Sequence, residues 1–129
     1  MINASIITPN GLYKEIKTPI INITSVDGER GILSNHMPVV FVLDIGKLET
    51  VENEIRKIYA ISGGVFYFQN NEAKILVNSI EDKDDIDVKR AYASKERQIK
   101  RLESKDSNYD LKRAEISLRK AINRIKIAG

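Results

Sequence analysis

Apolar and polar positions alternate with a period of two along most of the first eighty residues, and with a period near 3.6 after that. The run Ala4–Pro9 alternates briefly, and Pro9-Asn10-Gly11 supplies a turn, because proline fixes φ and glycine accepts positive φ. Leu12, Lys14 and Ile16 then oppose Tyr13, Glu15 and Lys17. Pro19–Val26 is rich in β-branched residues and ends at Asp27-Gly28. Val39–Leu43 is a short apolar run closed by Asp44-Ile45-Gly46, and Ile55–Ile61 leads up to Gly63-Gly64. Val65–Phe68 and Lys74–Val77 flank Asn70-Asn71. Short strands separated by turn signals every ~8–12 residues predict an all-β sandwich or barrel.

The period changes near residue 82. Glu81–Asp85 is acidic, and from Ile86 onward the chain holds no proline and no glycine before Gly129. Val88, Ala91, Lys95, Ile99 and Leu102 recur at three- and four-residue spacing, which predicts a first helix, with Asp84 or Asp85 as its cap. Ser104–Asn108 reads as a break. Leu111, Ala114, Leu118, Ala121, Ile122 and Ile125 mark a second helix, capped by Ser107 or Asn108. So short a connection predicts an antiparallel αα-hairpin. Its apolar stripes are narrow. At about 25 cal/mol per Å² of buried apolar surface, little offsets the entropy of ordering the segment. A stable β domain (1–83) carrying a marginal, mobile helical one (84–129) is expected.

Composition sharpens this picture. Net charge is +3, yet residues 1–82 hold 7 Lys/Arg against 10 Asp/Glu, and residues 83–129 hold 14 against 8. Such asymmetry predicts two parts with different partners. The absence of cysteine excludes disulfides, thiolate metal sites and a cysteine nucleophile, and the single His36 excludes a multi-histidine zinc site within one chain. The start MINASIITPNGLYKEIK has no basic region leading into an apolar core, so the chain is expected to stay where it was made.

Candidate chemistry is sparse. His36 has no carboxylate or nucleophile arranged near it, so no catalytic residue is expected. Gly63-Gly64 lacks the pattern of a phosphate loop and reads as a tight turn or β-bulge. The acidic run Glu81–Asp85 lacks the spacing of a calcium loop and reads as a solvated linker, so no metal is expected. Arg90, Arg97 and Arg101 stand at i, i+7 and i+11, and Arg113, Lys120 and Arg124 repeat that spacing on the second helix. Paired basic stripes suit either a solvated face or a polyphosphate, which guanidinium binds bidentately.

Six segments in order carry a family resemblance: Ile7–Gly11, Gly28–Val40 (GERGILSNHMPVV), Leu43–Leu48, Ile61–Gly64, Ile86–Ala91 (IDVKRA) and Leu118–Ile125. Over essentially the full chain they resemble the epsilon subunit of bacterial F-type ATP synthases. The resemblance implies an α+β fold, a mainly β N-terminal sandwich of about ten strands followed by a C-terminal two-helix hairpin. It implies a non-catalytic central-stalk subunit with no enzymatic activity alone. Its partners would be the gamma subunit, the c-ring and, with the hairpin extended, the alpha/beta catalytic head, where it restrains hydrolysis. It implies a peripheral location on the cytoplasmic face of the bacterial plasma membrane. Glu29, Gly31 and His36 would fall at the gamma and c-ring interface. No cofactor is required, but some members bind ATP as a regulatory ligand on the folded hairpin. By match to their motif the contacts would be Glu81, Asp87, Arg90, Ala91, Arg97, Lys120 and Arg124, with lysine at 120 where those members carry arginine.

Two other classes fit the residues less well. The basic tail suggests a nucleic-acid-binding module, but eight interleaved acidic residues and only Tyr92 and Tyr109 as aromatics equip it poorly for base stacking, so no nucleic acid is expected as a partner. A small hydrolase would need a Ser-His-Asp or paired-carboxylate arrangement, and none stands out.

Overall fold

The computed structural model describes residues 1–104 and 111–129. By contacts the chain divides into Met1–Lys83 and Asp84–Gly129. The first unit contains β1 (Ile2–Thr8), β2 (Gly11–Thr18), β3 (Ile20–Ser25), β4 (Gly28–Leu33), β5 (Val39–Glu52), β6 (Ile55–Gln69), β7 (Glu72–Val77) and β8 (Ile80–Asp82). The strand order is β2-β1-β7-β6-β5-β3-β4, with β8 beside β6. All pairs are antiparallel except β1 with β7.

Turn chemistry fixes the hairpins. Asn53-Glu54 and Asn70-Asn71 are two-residue connections with positive φ at both positions, the geometry whose twist matches paired strands. The ladders β5–β6 and β6–β7/β8 are both interrupted on one line, at Asp44, Ser62-Gly63 and Asn78-Ser79. Inward-facing positions also change phase there. Phe41 and Leu43 are buried before the line in β5, and Leu48 and Thr50 after it. In β6, Tyr59 and Ile61 precede the line, and Phe66 and Phe68 follow it. Gly63 (φ 95°) and Gly64 (φ 140°) supply the backbone conformation for the bend. The sheet folds over along this line into a sandwich. The far strand β2 thereby returns to β5: Thr18 Oγ1 accepts from Val51 N (3.0 Å), and Lys14 Nζ reaches Glu52 at 2.6 Å.

The two long strands correct the expectation of short ones. β5 does not close at Asp44–Gly46 but runs on to Glu52, and Gly46 is the position against which Thr24 packs. The ten strands implied by resemblance are eight among the described residues, two of them passing through the bend. Gly28–Leu33, which shows no clear alternation in the sequence, is an edge strand paired with β3. One apolar cluster fills the interior, with Ile2, Ile6, Ile21, Ile23, Leu48, Tyr59, Phe66 and Ile75 fully buried.

The second unit is an antiparallel hairpin of α1 (Val88–Ser104) and α2 (Leu111–Ala128), which pack on each other. Its buried residues are small or polar: Ala91, Gln98, Ala114 and Ala121. Val88, Leu111 and Ile122, expected on the apolar faces, are exposed. Lys83–Asp85 forms a 3-10 turn, so neither Asp84 nor Asp85 caps α1. Asp87 does, with its Oδ1 accepting from Arg90 N at 3.1 Å. The expected caps Ser107 and Asn108 lie outside the described residues.

Candidate functional site

Two surfaces carry the residues singled out from sequence. On the β unit, Glu29 and Gly31 stand two apart on the edge strand β4. Glu29 is exposed and accepts from Thr24 Oγ1 at 3.2 Å. A side chain at Gly31 would meet Asn22 Oδ1 at 3.1 Å, so the glycine keeps that rung clear. His36 lies in the turn that leaves β4. Its N–H donates to Leu33 O (3.2 Å), Nδ1 donates to Met37 O (2.7 Å), and its ring meets Phe68 edge-on at 5.9 Å. The following segment leads into an exposed apolar row across β5, β6 and β7. Val40 opposes Tyr67, while Val42, Val65 and Leu76 form the next rung. Val40 is 62% exposed, Val42 53%, Tyr67 43% and Leu76 38%.

A polar network that periodicity gave no sign of ties β2 to the end of the β5–β6 hairpin. Tyr59 OH donates to Glu52 Oε2 (2.7 Å) and accepts from Lys14 Nζ (3.0 Å), and Thr50 Oγ1 donates to the same Glu52 oxygen (2.6 Å). Burial works to raise the Glu52 carboxyl, but the hydrogen bonds from Lys14, Thr50 and Tyr59 outweigh it and hold it below the ordinary value. Burial, reinforced by the bond to Glu52, pushes the Tyr59 hydroxyl up to about 12. Hydrogen bonds to Glu52 and Tyr59 raise the Lys14 amine. Beside it, Lys47 and Arg56 reach the Glu49 carboxylate at 2.9 and 2.8 Å, and the Lys47 bond is the main cause holding that group low.

On the hairpin, Asp87 precedes α1 and accepts from the backbone N–H of Arg90, the geometry of a helix cap. Arg90 and Arg97 are exposed, Ala91 is fully buried, Lys120 is exposed and Arg124 half-buried. At about 100° per residue, Arg90, Arg97 and Arg101 fall roughly a quarter turn from the buried row of Ala91 and Gln98. Arg113, Lys120 and Arg124 fall a quarter turn, in the same rotational sense, from Ala114 and Ala121. In an antiparallel pair, equal offsets of this kind put both stripes on one flank. Glu81 belongs to the β unit, on β8 opposite Ala60. Among the described residues no group of three His, Cys, Asp or Glu is placed to hold a metal ion, and no helix is long and apolar enough to cross a membrane.

Comparison with known proteins accounts for both units. Residues 1–83 match the family described as ATP synthase, Delta/Epsilon chain, beta-sandwich domain, and residues 84–129 match its long alpha-helix domain. The ATP synthase epsilon chain of Halalkalibacterium halodurans is 38% identical over 129 residues, covering 99% of this chain and 97% of that one. The epsilon chain of Desulforamulus reducens is 41% identical over 123 residues, covering 95% and 93%. A chain of the Euglena gracilis mitochondrial ATP synthase, solved as OSCP/F1/c-ring, shares the fold with a TM-score of 0.83 at 22% identity, over 95% of this chain and 78% of that one. Sandwich, hairpin and full-length similarity agree, and the chain belongs to the ATP synthase delta/epsilon family as an epsilon chain.

Proposed function

We propose that the chain is a rotor subunit whose β unit attaches it to the gamma subunit and whose hairpin regulates ATP hydrolysis. The observation that carries the attachment is the apolar row Val40, Val42, Tyr67 and Leu76, exposed on the outer face of a sandwich that already has a complete core. Contiguous apolar surface of that kind, rimmed by Glu72 and Lys74, is the mark of a protein interface. Glu29, Gly31 and His36 extend the contact toward gamma and the polar loops of the c-ring. The chain would then act at the cytoplasmic face of the bacterial plasma membrane, held there by the complex. It performs no reaction itself.

The hairpin has a seam of alanines and one glutamine, which buries little apolar area and fits an element that exchanges partners. Extended, its basic flank would meet acidic surfaces of the catalytic head and restrain hydrolysis. Folded, the same flank would hold the phosphates of ATP through Arg90, Arg97, Lys120 and Arg124, with Asp87 beside the nucleoside, while Ala91, fully buried, would serve the helix seam. ATP would favour the folded form by its differential affinity. Two titrations test the two halves. Val40→Asp and Tyr67→Asp should each weaken binding to purified gamma at least tenfold with little change in melting temperature; unchanged affinity overturns the attachment. Calorimetry with ATP should give 1:1 binding that Arg97→Ala abolishes. No heat up to millimolar ATP removes the sensing role and leaves the attachment standing.

A further inference from the structure

The turn that carries His36 is fastened from a distance. Asn35 N donates to Asn71 Oδ1 at 2.6 Å, and Asn71 Nδ2 donates back to Asn35 Oδ1 at 2.9 Å, a reciprocal pair across 36 residues. Both asparagines hold positive φ, Asn35 at 67° and Asn71 at 61°, a conformation asparagine tolerates better than most residues. Asn71 is itself anchored, since it closes the two-residue β6–β7 hairpin and its carbonyl accepts from Asn3 N of β1 at 2.9 Å. A rigid hairpin therefore presents one side-chain amide to a turn that belongs to no strand. The turn is held besides by His36 N to Leu33 O, by His36 Nδ1 to Met37 O and by the edge contact of His36 on buried Phe68. Met37, 71% exposed, projects next to it.

We infer that Asn71, through its reciprocal amide pair with Asn35, is the positioning residue that sets the 34–38 turn in the shape in which His36 and Met37 meet a partner. The inference rests on the reading of this end of the β unit as a docking surface. Preorganising a turn lowers the ordering cost at association, so loss of the pair should appear in affinity more than in stability.

Asn71→Gly separates these effects. Asn-Gly is the favoured sequence for a two-residue hairpin of this type, so β6–β7 keeps its turn while both amide bonds vanish. In the full-length chain, exchange of the Asn35 amide should quicken about tenfold, the worth of one such bond, and the His36–Phe68 proximity should weaken by NMR. Affinity for purified gamma should fall about fivefold to tenfold while the melting temperature holds. Asn71→Asp, which keeps the acceptor for Asn35 N, should restore part of both readouts. Unchanged Asn35 exchange in Asn71→Gly overturns the clamp. Faster exchange with unchanged affinity, where Met37→Ala does weaken binding, overturns its positioning role. If Met37→Ala and His36→Ala also leave affinity unchanged, the docking reading fails and the positioning role falls with it, while the exchange data still decide whether the clamp exists.

Discussion

Replacing Gly64 by alanine attacks the bend on which the sandwich depends. A Cβ there would lie 1.8 Å from Leu76 O, 2.8 Å from Leu76 C and 2.9 Å from Val77 Cα. These are backbone atoms of β7, the strand to which Gly64 is paired, so no side-chain rotation relieves the clash. Relief requires β6 and β7 to part, which endangers the neighbouring bond from Asn78 N to Gly63 O (3.0 Å). The φ of 140° adds backbone strain of about 1–3 kcal/mol, and overpacking of this kind costs about 1–3 more. A combined loss of about 2–6 kcal/mol compares with a total near 4–12 kcal/mol for residues 1–83, taken at roughly 0.05–0.15 per residue. Each kcal/mol moves the midpoint of a domain this size by about 4–8 °C, so Gly64→Ala should melt at least about 8 °C lower, or fail to fold. Gly63→Ala is the control. Its φ is also positive, but the nearest atom is the movable Asn78 Nδ2 at 3.3 Å, and it should lose only about 1–3 kcal/mol. Calorimetric melting of both variants decides the matter. A Gly64→Ala midpoint within about 5 °C of the parent, or a greater loss for Gly63→Ala, would refute the account of the bend.

The network around Glu52 makes stability depend on pH at both ends. Glu52 and Glu49 titrate below their ordinary value of 4.5 in the folded chain, so their contribution is present above that value and lost as pH falls through the folded one. Urea unfolding of Glu52→Gln should therefore fall less steeply with acid than that of the parent; identical slopes below pH 5 would contradict the bonds to Glu52. Tyr59 and Lys14 are raised above 10.0 and 10.5, so their contribution is complete below those values and lost as pH climbs through the folded ones, which Tyr59→Phe should partly remove. In the hairpin, Ala121→Leu forces a large side chain into a seam built on alanine. It should cost about 1–3 kcal/mol and lower helical circular dichroism on mild heating, with the near-ultraviolet signal of the β unit unchanged.

What the sequence disclosed follows from which interactions are local. The hairpin turns at Pro9–Gly11 and Asn70-Asn71 and the change of period near residue 82 are written in neighbouring residues, and they stand in the fold where they were read. β5 and β6 were read short because their inward phase shifts by one residue at the bend, and a broken alternation looks like a strand end. β4 gives no strand signal because Gly28 and Gly31 interrupt its alternation, whereas the glycine at 31 answers to Asn22 on the next strand. Asp87 displaced Asp84 and Asp85 as the cap because a 3-10 turn intervenes. Gln98 lies at a buried position that apolar periodicity passes over. The Asn35–Asn71 pair and the Lys14–Glu52–Tyr59 network join residues more than thirty apart, and no local pattern announces them. Of the residues proposed to hold ATP, the motif gave the identities, and helix periodicity places the basic ones of both helices on one flank.

The division of labour between the two units is tested most directly by reconstituting the catalytic complex with the full chain or with residues 1–83 and measuring retention and ATP hydrolysis together. The truncated chain should remain bound to gamma with undiminished affinity, because its apolar row and its core are intact, while hydrolysis rises above the level seen with the full chain. Loss of the truncated chain from the complex, or hydrolysis indifferent to the hairpin, would contradict the account.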